Sequence, residues 1–449
     1  MNTVPLVIFM ALLSTTPMAR NARADEPLSL SDCVAIALEN GAVVADAAAK
    51  VEEYKARLAE IESVFYPKLY GMTYAAPMFS VHGTALDKDV ERRWRSIGDW
   101  GPYTHLEMVL AQPIYTFGRA GAGKRAARER WKVEQARLRE ARNAVALEVK
   151  RLYHARLYAL SLLPTLDSAL KSVRTAIESG QQLYDEGSGK VSQSDLARLR
   201  CAALDLERYR IDAEDGADLA LAALKHAMGW EEERTLALQD HKLTGGSSSD
   251  LTSLDELLDE ALRKRPEWAQ IHHGEAAARA LEKAERRAVL PTLFFAGTVN
   301  WDWAPTRDDS PNPYHYDQYN QLTGGAALGL QFNMDFALAK ARGEQARAIA
   351  RQVQAKKKLA QTGIPLQVRK AYDDVLRYTR QAGLMKKQVS EARKWMTLAG
   401  AAYATGTGEA RDLLEGLAAY VKAKQAYYDS LRSYHDARAE LGYSVGRMD

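Results

Sequence analysis

The side chains best able to do chemistry in this chain stand in patterns that fall short of a catalytic or cofactor site. Gly118-Arg119-Ala120-Gly121-Ala122-Gly123-Lys124 matches a phosphate-binding loop up to its last position. Such a loop needs a Ser or Thr hydroxyl after the lysine to hold Mg²⁺, and Arg125 stands there instead. The stretch reads as a flexible junction from strand to helix, with Arg119, Lys124, Arg125 and Arg128 near lipid headgroups or a lumen. His272-His273-x-Glu275 offers metal-ligand types, but helical zinc sites favour two histidines four positions apart. Nine histidines scattered over 449 residues argue for surface roles. No Ser-His-Asp or Cys-His arrangement follows from chain order, and no carboxylate pair stands out among 58 acidic residues. The sequence predicts no enzyme, no cofactor and no metal site.

Two glycine-rich turns hold the remaining polar candidates. The first is Gly187-Ser188-Gly189-Lys190-Val191-Ser192-Gln193-Ser194-Asp195. The second runs from Tyr403 through Gly406, Gly408 and Asp412 to Glu415. Their plain reading is helix-cap chemistry, with Gly making the turn and Ser or Asp opening the returning helix. For Asp195 capping alone suffices.

The elements that must position these turns come in two sets. Leu30-Ser31-Asp32 through Ala37-Leu38 recurs as Leu254-Asp255-Glu256 through Ala261-Leu262, and the helix after each copy ends at Pro67 or Pro291, 224 positions apart. Each proline precedes two alternating strands, a helical stretch of about sixty-six residues (119–184 and 338–403), a glycine turn and a second long helix. The predicted organisation is a signal segment at 1–24, a first repeat at 25–250 and a second at 251–449. Strands are expected near 66–79, 103–117, 291–303 and 322–336, and helical hairpins near 119–228 and 338–442. At 1.5 Å per residue the long stretches reach about 100 Å each, and Pro164 and Pro365 are expected to kink or interrupt them.

In the returning helices, apolar residues alternate at spacings of four and three. The series are Leu196, Leu199, Ala203, Leu206, Arg210, Ala213, Ala217, Ala220, Leu224 and Leu413, Leu417, Tyr420, Lys424, Tyr427, Leu431, Tyr434, Arg438, Leu441. That is a coiled-coil seam, and the cations within it imply a wetted side.

The strands have two faces. Leu293, Phe295, Gly297, Val299, Trp301 and Trp303 oppose Phe294, Ala296, Thr298, Asn300 and Asp302; Ala326, Leu328 and Leu330 oppose Ala327, Gly329 and Gln331. Leu106, Met108 and Leu110 alternate with polar His105 and Glu107, and Tyr70, Met72 and Tyr74 form the larger face of the first strand. Aromatics gather at strand ends (Tyr66, Phe79, Trp100, Tyr103, Tyr115, Phe117, Trp301, Trp303, Tyr319, Phe336), as in an interfacial girdle. Segments of this length with one apolar face fit a lipid-exposed barrel. Four strands cannot close one, because about 8 is the practical minimum. Open edges are not tolerated in lipid, so copies must associate, three giving twelve strands.

Composition agrees. The chain is 47% hydrophobic and 27% charged, with a net charge of +3 that falls to +1 without Arg20 and Arg23, leaving no basic excess for nucleic acid. Past residue 25 no apolar run approaches the ~20 residues of a transmembrane helix. Val4–Leu13 followed by Ala22-Arg23-Ala24 reads as a secretory signal. Cys33 and Cys201 are placed too far apart for a bridge, so two free, packed thiols are expected.

Together these features resemble the outer-membrane efflux protein (TolC-like) family. The carriers are the repeated opening helix (Leu30 to Ala37-Leu38 and Leu254 to Ala261-Leu262), Gln112-Pro113-Ile114-Tyr115-Thr116-Phe117-Gly118-Arg119, and Tyr403-Ala-Thr-Gly406-Thr-Gly-Glu-Ala-Arg-Asp412. The resemblance implies a mainly α protein with a small β part. In it, a homotrimer pools four strands per chain into a twelve-stranded outer-membrane barrel on a long periplasmic α-helical barrel. It implies an exit duct for efflux or type I secretion, with a periplasmic adaptor, an inner-membrane pump of RND or ABC type and outer-membrane lipid as partners. Gly187, Ser188, Gly189, Gly406 and Gly408 would lie at adaptor-docking tips, and Tyr403, Asp412 and Glu415 at the periplasmic aperture. Gly408 departs from the latching arginine of the best-known member, and the first tip is about two residues longer than the second. The competing reading is a periplasmic coiled-coil scaffold or binding protein without a pore.

Overall fold

A computed structural model describes residues 27–80, 99–187, 191–231, 233–245, 251–307 and 318–447. The expected signal segment, Ser188 and Gly189 lie outside the described residues. The elements run α1 (Leu30–Asn40), α2 (Ala42–Glu62), β1 (Lys68–Phe79), β2 (Trp100–Tyr115), α3 (Arg119–Asp185) and α4 (Gln193–Met228). There follow α5 (Leu254–Lys264), α6 (Pro266–Arg286), β3 (Thr292–Trp303), β4 (Gln321–Gln331), α7 (Phe336–Ala404) and α8 (Ala410–Val445). Helices α1 and α5 have 11 residues each, α2 and α6 have 21, α4 and α8 have 36, and α3 and α7 have 67 and 69. The protein is thus mainly helical with a small sheet. Among the described residues no helix is long and apolar enough to cross a membrane.

Local chemistry sets the helix starts. Ser29 and Asp32 form a capping box at α1, Ser253 caps α5, and Pro266 opens α6 where its missing N–H costs nothing. Strand β4 ends at Gln331, short of the expected 336, because Asp335 begins the next helix: its Oδ1 accepts from the Leu338 amide at 2.9 Å. The expected interruptions at Pro164 and Pro365 do not occur; both sit inside continuous helix. A long helix holds the turns on either side of a proline, so one forfeited hydrogen bond does not end it. The junction expected to be flexible at 118–124 is also helical from Arg119. Gly118 takes a left-handed φ of +80° at the turn, and the Thr116 hydroxyl accepts from the Ala120 amide at 3.2 Å. The Arg119 and Ala122 amides donate to the Thr116 and Gly118 carbonyls, so with the Ala120 amide they are already spent within the turn.

The chain divides into two compact units. One comprises the chain up to Gly41, 148–247 and 378–436; the other comprises 42–147, 248–377 and 437–449. Each draws on both sequence repeats, so the spatial units are not the repeats themselves.

The second unit holds one antiparallel sheet in the order β1-β2-β3-β4, with β1 and β4 as its edges. Residues paired directly across strands share a face. Leu106, Met108 and Leu110 oppose Trp301, Val299 and Gly297, which oppose Leu322, Gly324 and Ala326: this is the apolar face. His105 and Glu107 oppose Asp302 and Asn300, which oppose Gln321 and Thr323: this is the polar face. Strand β1 has the opposite phase to the one its hydrophobicity suggests. Tyr70, Met72 and Tyr74 pair with Val109, Glu107 and His105 on the polar face, leaving Leu69, Gly71 and Thr73 on the apolar one. Pairing with β2 sets the phase, since β1 by itself offers little contrast between its faces.

In the first unit the predicted seam is the packed one. Leu196, Leu199, Leu206, Ala213, Ala217, Ala220 and Leu224 are buried along α4, as are Leu413 and Leu417 at the start of α8. Leu166, Leu170 and Val173 of α3 join Leu206, Ala213 and Leu417 in one cluster. The seam cation Arg210 is only half-buried and pairs with Asp167 at 2.9 Å and Glu214 at 2.8 Å, which fits a wetted side. Cys33 is buried and Cys201 exposed, both free. Cys201 is therefore not packed as expected; it falls off the seam, between Leu199 and Ala203.

Candidate functional site

Two places gather polar groups that a packed core does not require: the hairpin tips of the first unit and the polar face of the sheet in the second.

At the first tip Gly187 ends α3 with φ +63°, and its N–H donates to the Tyr184 carbonyl at 3.0 Å. Ser192 then caps α4. Its hydroxyl oxygen accepts from the Asp195 amide at 3.2 Å, and Asp195 accepts from the Ser192 amide at 3.1 Å. The Ser192 hydroxyl holds the Asp195 carboxyl below its usual range. Asp195 is thus a capping residue.

The second tip closes on a glycine turn, with the Thr405 and Thr407 hydroxyls donating to the Ala402 carbonyl at 3.0 and 3.1 Å. Gly406 has φ +69°; its N–H donates to the Tyr403 carbonyl and that of Thr407 to the Ala402 carbonyl, both at 2.9 Å. This is a Schellman turn. Gly408 folds back over the helix end, where a β-carbon would lie 2.8 Å from the Ala402 β-carbon. Close approach therefore accounts for a glycine where the resemblance suggested arginine. Asp412 and Glu415 are exposed on the first turns of α8. Glu415 accepts from Arg411 Nε at 2.8 Å, so Asp412 is the less neutralised of the two carboxylates.

Tyr403 lies deeper than either. It is 3% exposed, in a cluster with Ala176, Val191, Leu196, Leu199, Ala410 and Leu413 that draws on both tips. Its hydroxyl abuts Gly180, where a β-carbon would collide with it, and has no hydrogen-bond partner among the described residues. Burial raises its pKa, with a smaller push from Asp195.

On the sheet, sequence reasoning missed a buried carboxylate. Asp302 is 5% exposed and accepts from Tyr103 Oη at 2.5 Å and Gln321 Nε2 at 3.1 Å, with His105 Nδ1 at 2.7 Å. Three donors on β2 and β4 offset the desolvation of a buried carboxylate on β3. Tyr103 consequently leaves the expected aromatic girdle and turns onto the polar face. The signal available was His105 and Asp302 standing on the polar face of alternating strands. Phe79, Trp100, Trp301 and Trp303 remain exposed on the apolar face at the hairpin ends.

The other sequence candidates are held elsewhere. Lys124 and Arg128 pair with Glu62 at 3.0 and 3.6 Å. His273 Nδ1 lies 2.6 Å from Glu129, while Glu275 pairs with Arg279.

A family model described as outer membrane efflux protein matches residues 34–230 and 257–447. No curated protein matches the sequence. The fold is similar to three solved structures, each at a TM-score of 0.73. They are the outer-membrane channel OprN (16% identity, 93% of this chain and 89% of that one), the Campylobacter jejuni CmeC outer membrane channel (15%, 99% and 93%) and the Vibrio cholerae outer membrane protein VceC (14%, 93% and 96%).

Proposed function

The chain belongs to the outer membrane efflux protein family, and from that premise we propose that it is the passive exit duct of a tripartite efflux or type I secretion system. Three copies would join their sheets into a twelve-stranded outer-membrane barrel and their helices into a periplasmic conduit. The observation that carries this reading is the sheet itself: among the described residues it has four strands, one face apolar and one polar, with both edges unpaired. In lipid each unpaired edge strands a row of N–H and C=O groups, and pairing β1 of one copy with β4 of the next removes every such edge.

The chain would supply no driving force, only an aqueous path and a gate. A periplasmic adaptor would dock at the tips around Gly187, Ser188, Gly189, Gly406 and Gly408, and an inner-membrane pump of RND or ABC type would deliver cargo. Asp412 and Glu415 would ring the periplasmic aperture, with Asp412 dominating because Arg411 offsets Glu415. Tyr403 would act from behind that ring by holding the two tips of one chain together.

The test is conductance of the detergent-purified protein in planar bilayers. Stable channels with block by divalent cations from the side of the tips are expected, weakened by Asp412→Asn. A urea-soluble product without conductance would instead support the pore-less scaffold.

A further inference from the structure

The four strand-to-helix junctions lie at one end of the sheet, in the second unit, and the stretches 58–68, 116–125, 282–291 and 332–341 that build them are all described. Strand β2 arrives there on the apolar face: past its bulge, Tyr115 pairs with Leu293. Phe117 takes a left-handed φ of +50°, rare for a bulky residue, and sets its ring edge-on against Tyr115 at 4.8 Å. Both rings are exposed, as are Tyr66 before β1 and Phe336 after β4, so this end carries an aromatic boundary.

Beside those rings, cations outnumber the carboxylates that could pair with them. Glu62 is taken by Lys124 and Arg128, Glu282 by Arg286 and Arg347, and Asp335 by the Leu338 amide. That leaves Glu60 and Glu285 against Lys68, Arg119, Arg125, Lys283, Arg287 and Lys340, none of which has a side-chain partner among the described residues. Arg287 is the most closely placed of them. Its guanidinium lies against Gly118, where a β-carbon would collide with it. Arg119 is the next residue, and both arginines are half-buried.

We propose that Arg287 and Arg119, on either side of Gly118, bind the phosphate of an anionic phospholipid in the periplasmic leaflet of the outer membrane. The proposal rests on the reading of the sheet as one third of a barrel whose apolar face meets lipid. Given that reading, Tyr115 and Phe117 sit at headgroup depth, and the two arginines lie at the same level on the helix side. A guanidinium presents a planar fork of donors that matches phosphate oxygens. The surplus of unpaired cations around it selects a headgroup of net negative charge over a zwitterionic one.

The experiment is native mass spectrometry of the detergent-purified protein with added phosphatidylglycerol or phosphatidylcholine of the same acyl chains. The parent should bind phosphatidylglycerol about tenfold more tightly than phosphatidylcholine. Arg119→Gln with Arg287→Gln should cut that preference to about twofold or less. Arg287→Lys should fall between, because it keeps the charge and loses the fork. Lys124→Gln should leave the preference unmoved, since that cation is already spent on Glu62, which Arg128 still neutralises. Each variant is compared with the parent for conductance in planar bilayers; if the double variant does not assemble, Arg287→Lys and Arg119→Gln alone decide. Displacement of the lipid by excess inorganic phosphate would mark a free-anion site and overturn the lipid assignment. Equal affinity for the two lipids in a conducting parent, or a preference that the arginine variants leave in place, overturns the site. A parent protein that neither conducts nor binds either lipid removes the barrel reading and the site with it.

Discussion

The two hairpin tips join helices of matched length and end them in different chemistry. At the first tip a capping box of Ser192 and Asp195 spends its carboxylate on the Ser192 amide and hydroxyl. The second turns on Gly406 and Gly408 and closes its helix end with uncharged Thr405 and Thr407 hydroxyls, which leaves Asp412 and Glu415 on the surface. The difference shows a common helical scaffold carrying a stability device at one tip and free charge at the other. Tyr403 belongs to the second tip by sequence and to both by packing.

The most severe way to break the comparison is to remove what the tips share. Tyr403→Ala should cost about 3–5 kcal/mol, read by urea unfolding of the purified protein, because it empties a core built from both tips. Tyr403→Phe should fall within about 0.5 kcal/mol of the parent, since the hydroxyl it removes has no partner among the described residues. A large loss in Tyr403→Phe would show that the hydroxyl finds a partner in the assembled protein, giving it a direct part in the aperture.

Next in size are the turns. Gly408→Leu should cost about 1–3 kcal/mol through collision with Ala402. Gly187→Ala should cost about 1 kcal/mol, since the strain is in its φ alone and open space surrounds it. Equal penalties at the two positions would erase the steric distinction between the tips.

Ser192→Ala should cost about 1 kcal/mol, with a pH signature. Because the Asp195 carboxyl is held below its usual value, its contribution is fully present above the unfolded pKa of about 3.9 and is lost as pH falls through the lowered folded value. Parent and Ser192→Ala stabilities should therefore converge in acid, and a gap that stays constant below pH ~3 would refute the capping box.

The smallest effect on stability is expected from Asp412→Asn with Glu415→Gln, within about 0.5 kcal/mol, yet this pair should weaken cation block of conductance. Asp195→Asn should do the reverse. That crossed outcome is the sharpest statement of how the tips differ.

Much of the scaffold could be read from the residues. The four-three spacing from Leu196 to Leu224 marked the buried line of α4, because a helix face repeats independently of its partner. Strands β3 and β4 were legible because bulky and polar residues alternate strictly. The phase of β1 was not, since Tyr70 and Tyr74 count as apolar although their hydroxyls suit a polar face, and Met72 falls between them. Only the register Tyr74↔His105 decides it. The end of β4 was misread because Phe332 and Met334 keep the alternation going, although Asp335 has begun the next helix. At the tips, chain order located Tyr403 but said nothing of its depth, which depends on Gly180 and Leu199 of a distant segment. Asp302 was visible as a polar residue, yet its burial depends on Tyr103 and Gln321 arriving from two other strands.

The central claim is that the open sheet is completed by identical neighbours, and particle mass tests it most directly. Light scattering on protein extracted from membranes in mild detergent should give three chains per particle after correction for bound detergent. A single chain per particle, stable and free of detergent, would contradict the account.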